Sequence, residues 1–192
     1  IGWERIVISS VTKPENRRFS NMNFAAAAKL AGYDEPTDFM CELLCDEDGK
    51  VGIILLSMDP KDVDTIAKLP WSMIISDSLY GISDCPHPRL YGSFPKVLRD
   101  FVRERGVLTL PQAIHKMTAM PAARLGLNDR GVIEVGRKAD IAVFDPASIA
   151  DHATYDNPKQ LCTGLRATLI NGKIAVENDT LRRRDCGITI KK

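Results

Sequence analysis

The chain has 192 residues, 44% of them hydrophobic and 27% charged, with 26 basic against 25 acidic side chains and a formal net charge of +1. That length suffices for a real core in one or two domains, and the composition is ordinary for a globular protein. Basic residues spread along a nearly neutral chain leave no electrostatic footprint for nucleic acid or an anionic membrane.

The one dense basic run, Arg182-Arg183-Arg184 with Lys191-Lys192, reads as a solvated tail. No apolar run approaches the roughly 18 residues of a membrane span. No charged head with an apolar core marks a secretion signal. The sequence opens on Ile1 rather than Met, so residues upstream are expected. Five scattered cysteines, an odd number, argue against a disulfide framework and for a reducing cytoplasm. Cys41 and Cys45 stand four apart with no second pair nearby, and are read as small apolar residues rather than zinc ligands.

In chain order, Ile6-Val7-Ile8-Ser9 is a β-branched strand, followed by a polar loop from Val11 to Phe19. Asn21 is positioned to cap a helix from Met22 to Ala31, ended by Gly32. Pro36 and Thr37 open a second helix that stops at the turn Asp46-Glu47-Asp48-Gly49. Val51 to Leu56 reads as a strand buried on both faces. Asp59 caps a helix from Pro60 to Lys68, and Trp71 to Ile75 gives a third buried strand.

Alternating strands and helices predict an α/β fold with parallel pairing and right-handed crossovers. Leu79 to Ser93 is a predicted loop, with helices after it at Phe94–Glu104, Pro111–Met117 and Pro121–Leu125. Short strands are expected at Ile133–Val135, Ile141–Phe144, Ala167–Ile170 and Lys173–Val176, the last two joined by an Asn171-Gly172 hairpin turn. These readings divide the chain at residues 1–128 and 129–192.

Asp77 follows the Trp71–Ser76 strand and precedes a Gly/Pro-rich loop. A carboxylate at the C-terminal end of an α/β-barrel strand is well placed for chemistry. An Asp there also commonly caps a turn, and position alone leaves both roles open. The loop then gathers His87-Pro88-Arg89 and Tyr91-Gly92. Arg89 offers a planar fork that matches a carboxylate, although a loop arginine also bonds backbone carbonyls. His115 and His152 read as structural or surface groups, and no two histidines have zinc-motif spacing.

The segments Ser76-Asp77, His87-Pro88-Arg89-Leu90-Tyr91-Gly92-Ser93-Phe94-Pro95, Lys116-Met117-Thr118 and Pro121 to Leu127 resemble the N-acyl-D-amino-acid deacylases (D-aminoacylases) of the amidohydrolase superfamily. Gly136-Arg137-Lys138-Ala139-Asp140 and Asn171-Gly172 are shared more widely across that superfamily, and the His-Pro-Arg-x-Tyr-Gly segment is specific to this branch.

The resemblance implies the C-terminal part of a (β/α)8 barrel, with the Ile6, Val51 and Trp71 strands as barrel strands six to eight, followed by a small β-sandwich segment. It implies that Asp77 is the catalytic aspartate and a possible metal ligand. That aspartate takes a proton from a zinc-bound water and passes it to the leaving amine. Arg89 is then the partner of the substrate α-carboxylate, with Tyr91 and His87 beside it. The family's other metal ligands lie on earlier strands absent here, and Ser78 stands where glycine is usual.

The expected parent hydrolyses N-acyl-D-amino acids to a D-amino acid and a carboxylate, while this chain alone is expected to be inactive and to hold no zinc stably. The alternatives are a hydantoinase- or dihydroorotase-like amidohydrolase acting on cyclic amides, and a non-catalytic oligomerisation or binding remnant. Open sheet edges predict a homo-oligomer that covers them.

Overall fold

A computed structural model describes residues 2–79 and 86–190 as two compact units. Among the described residues, no helix is long and apolar enough to cross a membrane.

The first unit comprises Ile1–Pro60, Asp77–Tyr91 and Ala153–Gln160. Strand β1 (Ile6–Ser10) leads through a 3-10 segment, Pro14–Phe19, to helices α1 (Phe24–Ala31) and α2 (Pro36–Asp46), and then to strand β2 (Gly52–Leu55). The cap of α1 is Asn23, whose side chain accepts the Ala26 N–H at 2.8 Å. Asn21, the expected cap, instead sits in a left-handed turn at φ 65°. Gly32 ends α1 at φ 87°, as a glycine after a helix should.

Strand β2 runs antiparallel to β1, pairing Ile6 with Leu55 and Val7 with Ile54. This corrects the parallel pairing expected from the sequence, and with it the role of β1 as a barrel strand beside β2. The reason is that alternation of strands and helices along the sequence does not fix pairing direction: a parallel pair needs a crossover connection, and a long connection is equally compatible with an antiparallel return.

The core of this unit is Ile8, Phe19, Phe24, Ala27, Ala28, Phe39 and Leu43, all buried. Phe39 organises it, meeting Phe19 edge-on at 4.9 Å and Phe24 at 6.1 Å between ring centres. Beside it, Glu47 ends α2 with only 1% of its surface exposed. Its carboxylate accepts the Thr12 N–H at 2.6 Å, the Thr12 hydroxyl, the Lys13 N–H at 3.1 Å and the Asn16 amide at 2.6 Å. Burial pushes this carboxyl up, but the Thr12 and Asn16 side chains and the Thr12 and Lys13 amides outweigh it and hold it down at about 2.

β2 is buried on one face only. Ile54 points inward, while Ile53 and Leu55 are about half exposed, so the two-sided burial read from its apolar run is also corrected.

The second unit comprises Lys61–Ser76, Gly92–His152 and Leu161–Lys192. Helix α3 (Pro60–Lys68) precedes the segment Trp71–Ser76. That segment forms no strand, and Trp71 and Ile75 are mostly exposed, contrary to the third buried strand expected there. It is held from one side: the Ile74 N–H donates to the Lys116 carbonyl at 3.1 Å. Lys116 is itself buried, and its ammonium donates to the carbonyls of Leu69 and Ser72 and to the Ser72 hydroxyl. Three protons thus meet three oxygens, which makes burial of the charge tolerable.

Helix α4 (Arg89–Lys96) starts earlier than predicted, inside the expected loop. Pro88 just ahead of it is compatible, because the first amides of a helix have no internal acceptor. Pro95 inside α4 lacks an N–H, and the chain continues as a π-helical stretch, Val97–Glu104, closed by the Arg105 N–H on the Asp100 carbonyl five residues back. Val97, Leu108 and Ala113 form a small core with Ile74, Phe101 and Met117.

Helix α5 (Leu110–Met117) opens with a capping box, Thr109 with Gln112, and α6 (Ala119–Arg124) follows. Strands β3 (Ile141–Phe144), β4 (Leu165–Ile170), β5 (Lys173–Glu177) and β6 (Thr180–Leu181) make an antiparallel meander in that order. Asn171 and Gly172, at φ 49° and 76°, form the predicted two-residue turn between β4 and β5. Ile133–Val135 is not a strand; Ile133 and Val135 are almost wholly exposed. Cys41 and Cys45 are exposed on α2, so they are not core filling, and Cys41, Cys45, Cys162 and Cys186 are free thiols.

Candidate functional site

The predicted site residues Asp77, His87 and Arg89 come together in the first unit. Asp77 adopts φ 48°, a left-handed conformation uncommon outside glycine and tolerated best by Asn and Asp. Such backbone conformations cluster at functional sites, where surrounding contacts hold them. The Arg89 guanidinium reaches the Asp77 carboxylate at 3.1 Å, with both side chains well exposed. The Ser78 hydroxyl donates to the Arg89 carbonyl at 3.0 Å, which ties the residue after Asp77 to the start of α4.

His87 works as a cap for that helix. Its Nδ1 accepts the Arg89 N–H at 3.1 Å, and its carbonyl accepts the Leu90 N–H at 3.0 Å. The side chain at position 87 thereby sets the backbone from which Arg89 projects.

Arg89 and His87 open onto a cleft whose apolar wall is the outer side of β2, Ile53 and Leu55, with Leu90 and Tyr155 completing it. Tyr91 is half-buried, its N–H bonded to the Pro88 carbonyl at 3.1 Å, and it does not line this cleft. Asp77 stands at the edge of the cleft through its pair with Arg89 rather than in its wall.

Tyr155 was not anticipated from the sequence, where it sat in an unremarked loop. It meets His87 edge-on, ring centres 5.3 Å apart, with its hydroxyl 3.4 Å from His87 Nε2. The only local signal was an aromatic residue one position after Thr154, whose hydroxyl accepts the Asn157 N–H at 3.0 Å to form a tight turn. His152 bonds the Thr163 hydroxyl at 2.9 Å, in line with a structural role.

Among the described residues no three His, Cys, Asp or Glu side chains converge in a way that could hold a metal ion. The Asp77 carboxylate is engaged by the Arg89 guanidinium. Zinc affinity comes from several preorganised ligands, and Asp77 is the residue of the described site that fits such a set.

The amidohydrolase family profile matches residues 28–176. The N-acyl-D-aspartate deacylase of Alcaligenes xylosoxydans xylosoxydans is 41% identical over 153 residues, covering 74% of this chain and 30% of that enzyme. Among solved structures, a D-aminoacylase with a binuclear metal centre aligns with a TM-score of 0.85 at 34% identity, covering 95% of this chain and 37% of the other. The N-acyl-D-glutamate deacylase of Bordetella bronchiseptica, complexed with zinc and a phosphonate mimic of the tetrahedral intermediate, aligns at 0.81 and 37% identity, over 90% of this chain and 34% of that one. The chain thus spans about a third of the length of these relatives. With the mixed helix and sheet content and a profile match over most of its length, the chain belongs to the amidohydrolase family.

Proposed function

We propose that this chain is the C-terminal part of a metal-dependent amidohydrolase that cleaves N-acyl-D-amino acids to a D-amino acid and a carboxylate. The observation that carries the reading is the 3.1 Å pair between Asp77 and Arg89, a proton acceptor beside a carboxylate-binding fork. In the full-length enzyme residues 1–128 belong to the barrel region and 129–192 to the β-sandwich segment. There β2 is a barrel strand, and Asp77 follows the Trp71–Ser76 segment.

Each role follows from the side chain's chemistry. Arg89 takes the α-carboxylate of the substrate in place of Asp77, which is thereby released from its ion pair. Asp77, the catalytic residue, then accepts the proton of the attacking water and returns it to the departing amine. His87, which lines the cleft, shapes the substrate's surroundings, while Tyr91 supports the start of α4 behind Arg89. Zinc, when bound by the full-length enzyme through ligands from elsewhere, lowers the pKa of water to about 7. The cytoplasm remains the proposed location, in keeping with the free thiols of Cys41, Cys45, Cys162 and Cys186 among the described residues.

The isolated 192 residues supplied with zinc are expected to show no turnover of N-acetyl-D-amino acids. Robust hydrolysis abolished by Asp77→Asn would overturn the idea that ligands beyond this chain are required. The exposed apolar side of β2 invites cover, and we expect the isolated chain to self-associate as a homo-oligomer. Light scattering that finds a monodisperse monomer at high concentration would contradict this.

A further inference from the structure

Tyr155 and His87 lie 68 residues apart in sequence and meet in the first unit. Two independent contacts join them, an edge-on ring packing at 5.3 Å and a 3.4 Å approach of the phenol oxygen to Nε2. The Tyr155 turn is itself anchored. The Thr154 N–H donates to the Asn157 carbonyl at 3.1 Å, and the Asn21 amide donates to Asp156 at 3.1 Å. A hydrogen-bonded turn therefore presents Tyr155 to the histidine.

The bonding also decides the histidine's tautomer. The Arg89 N–H donates to Nδ1, so Nδ1 bears a lone pair. A neutral imidazole then carries its proton on Nε2, the nitrogen that faces the phenol oxygen. The sequence of bonds runs from Tyr155 to Nε2, across the ring to Nδ1, and from there to the backbone of Arg89.

We propose that Tyr155 is a positioning residue for carboxylate recognition by Arg89, acting through the orientation and tautomer of His87. The inference rests on the reading of Arg89 as the partner of the substrate α-carboxylate. It also means that residues 153–160, from the part of the chain expected to form a separate β-sandwich segment, help to shape the substrate site.

Tyr155→Phe keeps the ring contact and removes only the oxygen. In the zinc-loaded full-length enzyme it is expected to raise KM for an N-acetyl-D-amino acid about fivefold, as loss of one modest hydrogen bond would, with kcat changed less than about twofold. For the matching N-acetyl-D-amino-acid amide, which lacks the carboxylate, KM is expected to stay within about twofold. An equal rise for both substrates, or a loss confined to kcat, overturns the proposal.

A second measurement needs no activity. Long-range 15N–1H spectra of the isolated chain, which has only three histidines, are expected to show His87 protonated on Nε2. Protonation on Nδ1 overturns the proposal. A wild-type enzyme that hydrolyses neither substrate defeats the deacylase reading instead, and the imidazole spectrum still decides the contact.

Discussion

Asp77→Asn in the full-length enzyme is expected to lower kcat by about 10²–10⁴-fold, the usual contribution of a positioned acid–base group. The substitution is nearly isosteric, and the amide oxygen can still face Arg89 across the 3.1 Å contact. What it loses is the ability to take up a proton and release it again. KM for N-acetyl-D-amino acids should therefore change far less than kcat, because Arg89 still recognises the carboxylate. Steady-state kinetics check the split, and metal analysis of the purified variant separates a lost proton carrier from lost zinc. A variant that keeps its metal and retains near wild-type kcat would remove Asp77 from the chemistry and leave it the turn-capping role its position also allows.

The second large effect concerns stability. Glu47→Gln is expected to destabilise the first unit by about 3 kcal/mol at pH 7, the value of holding a carboxyl at about 2 rather than near its ordinary 4.5. The amide would turn an N–H toward the Thr12 or Lys13 amides, setting donor against donor where a carboxylate now accepts. The sign of the pH dependence follows from the lowered folded-state pKa. Above about pH 4.5 the carboxylate is charged in both states, and its contribution is complete. As pH falls from there toward 2 the unfolded chain binds the proton first, and the contribution drains away. Urea denaturation of wild type and variant should show a gap that is full at pH 7 and narrows steadily below pH 4.5. A gap independent of pH would mean that Glu47 acts by packing alone.

The candidate site was partly legible and partly not, for a reason visible in particular residues. Asp77, His87 and Arg89 fall within 13 positions, so the turn and helix start that bring them together are local. Tyr155 lies far along the chain, and nothing in the sequence around it indicates which imidazole it meets. The Glu47 cluster shows the same limit. Asp46 to Gly49 read correctly as the end of a helix, but the donors that make Glu47 a buried acceptor come from residues more than 30 positions away.

The sequence by itself determined what depends on neighbouring residues and on kinship. Gly32 ends its helix, Asn171-Gly172 turns its hairpin, and the segments around Asp77 and Arg89 carry the resemblance to the deacylases. These are set by side chains a few positions apart, through allowed dihedrals and short-range hydrogen bonds. Only the tertiary structure decided the direction of β2 against β1, the exposure of Ile53 and Trp71, and the approach of Tyr155 to His87. An apolar run states that a strand has something to bury, not which side is covered or by what. Pairing direction depends on the path of the connection between the strands, and partners distant in sequence are chosen by the packed whole.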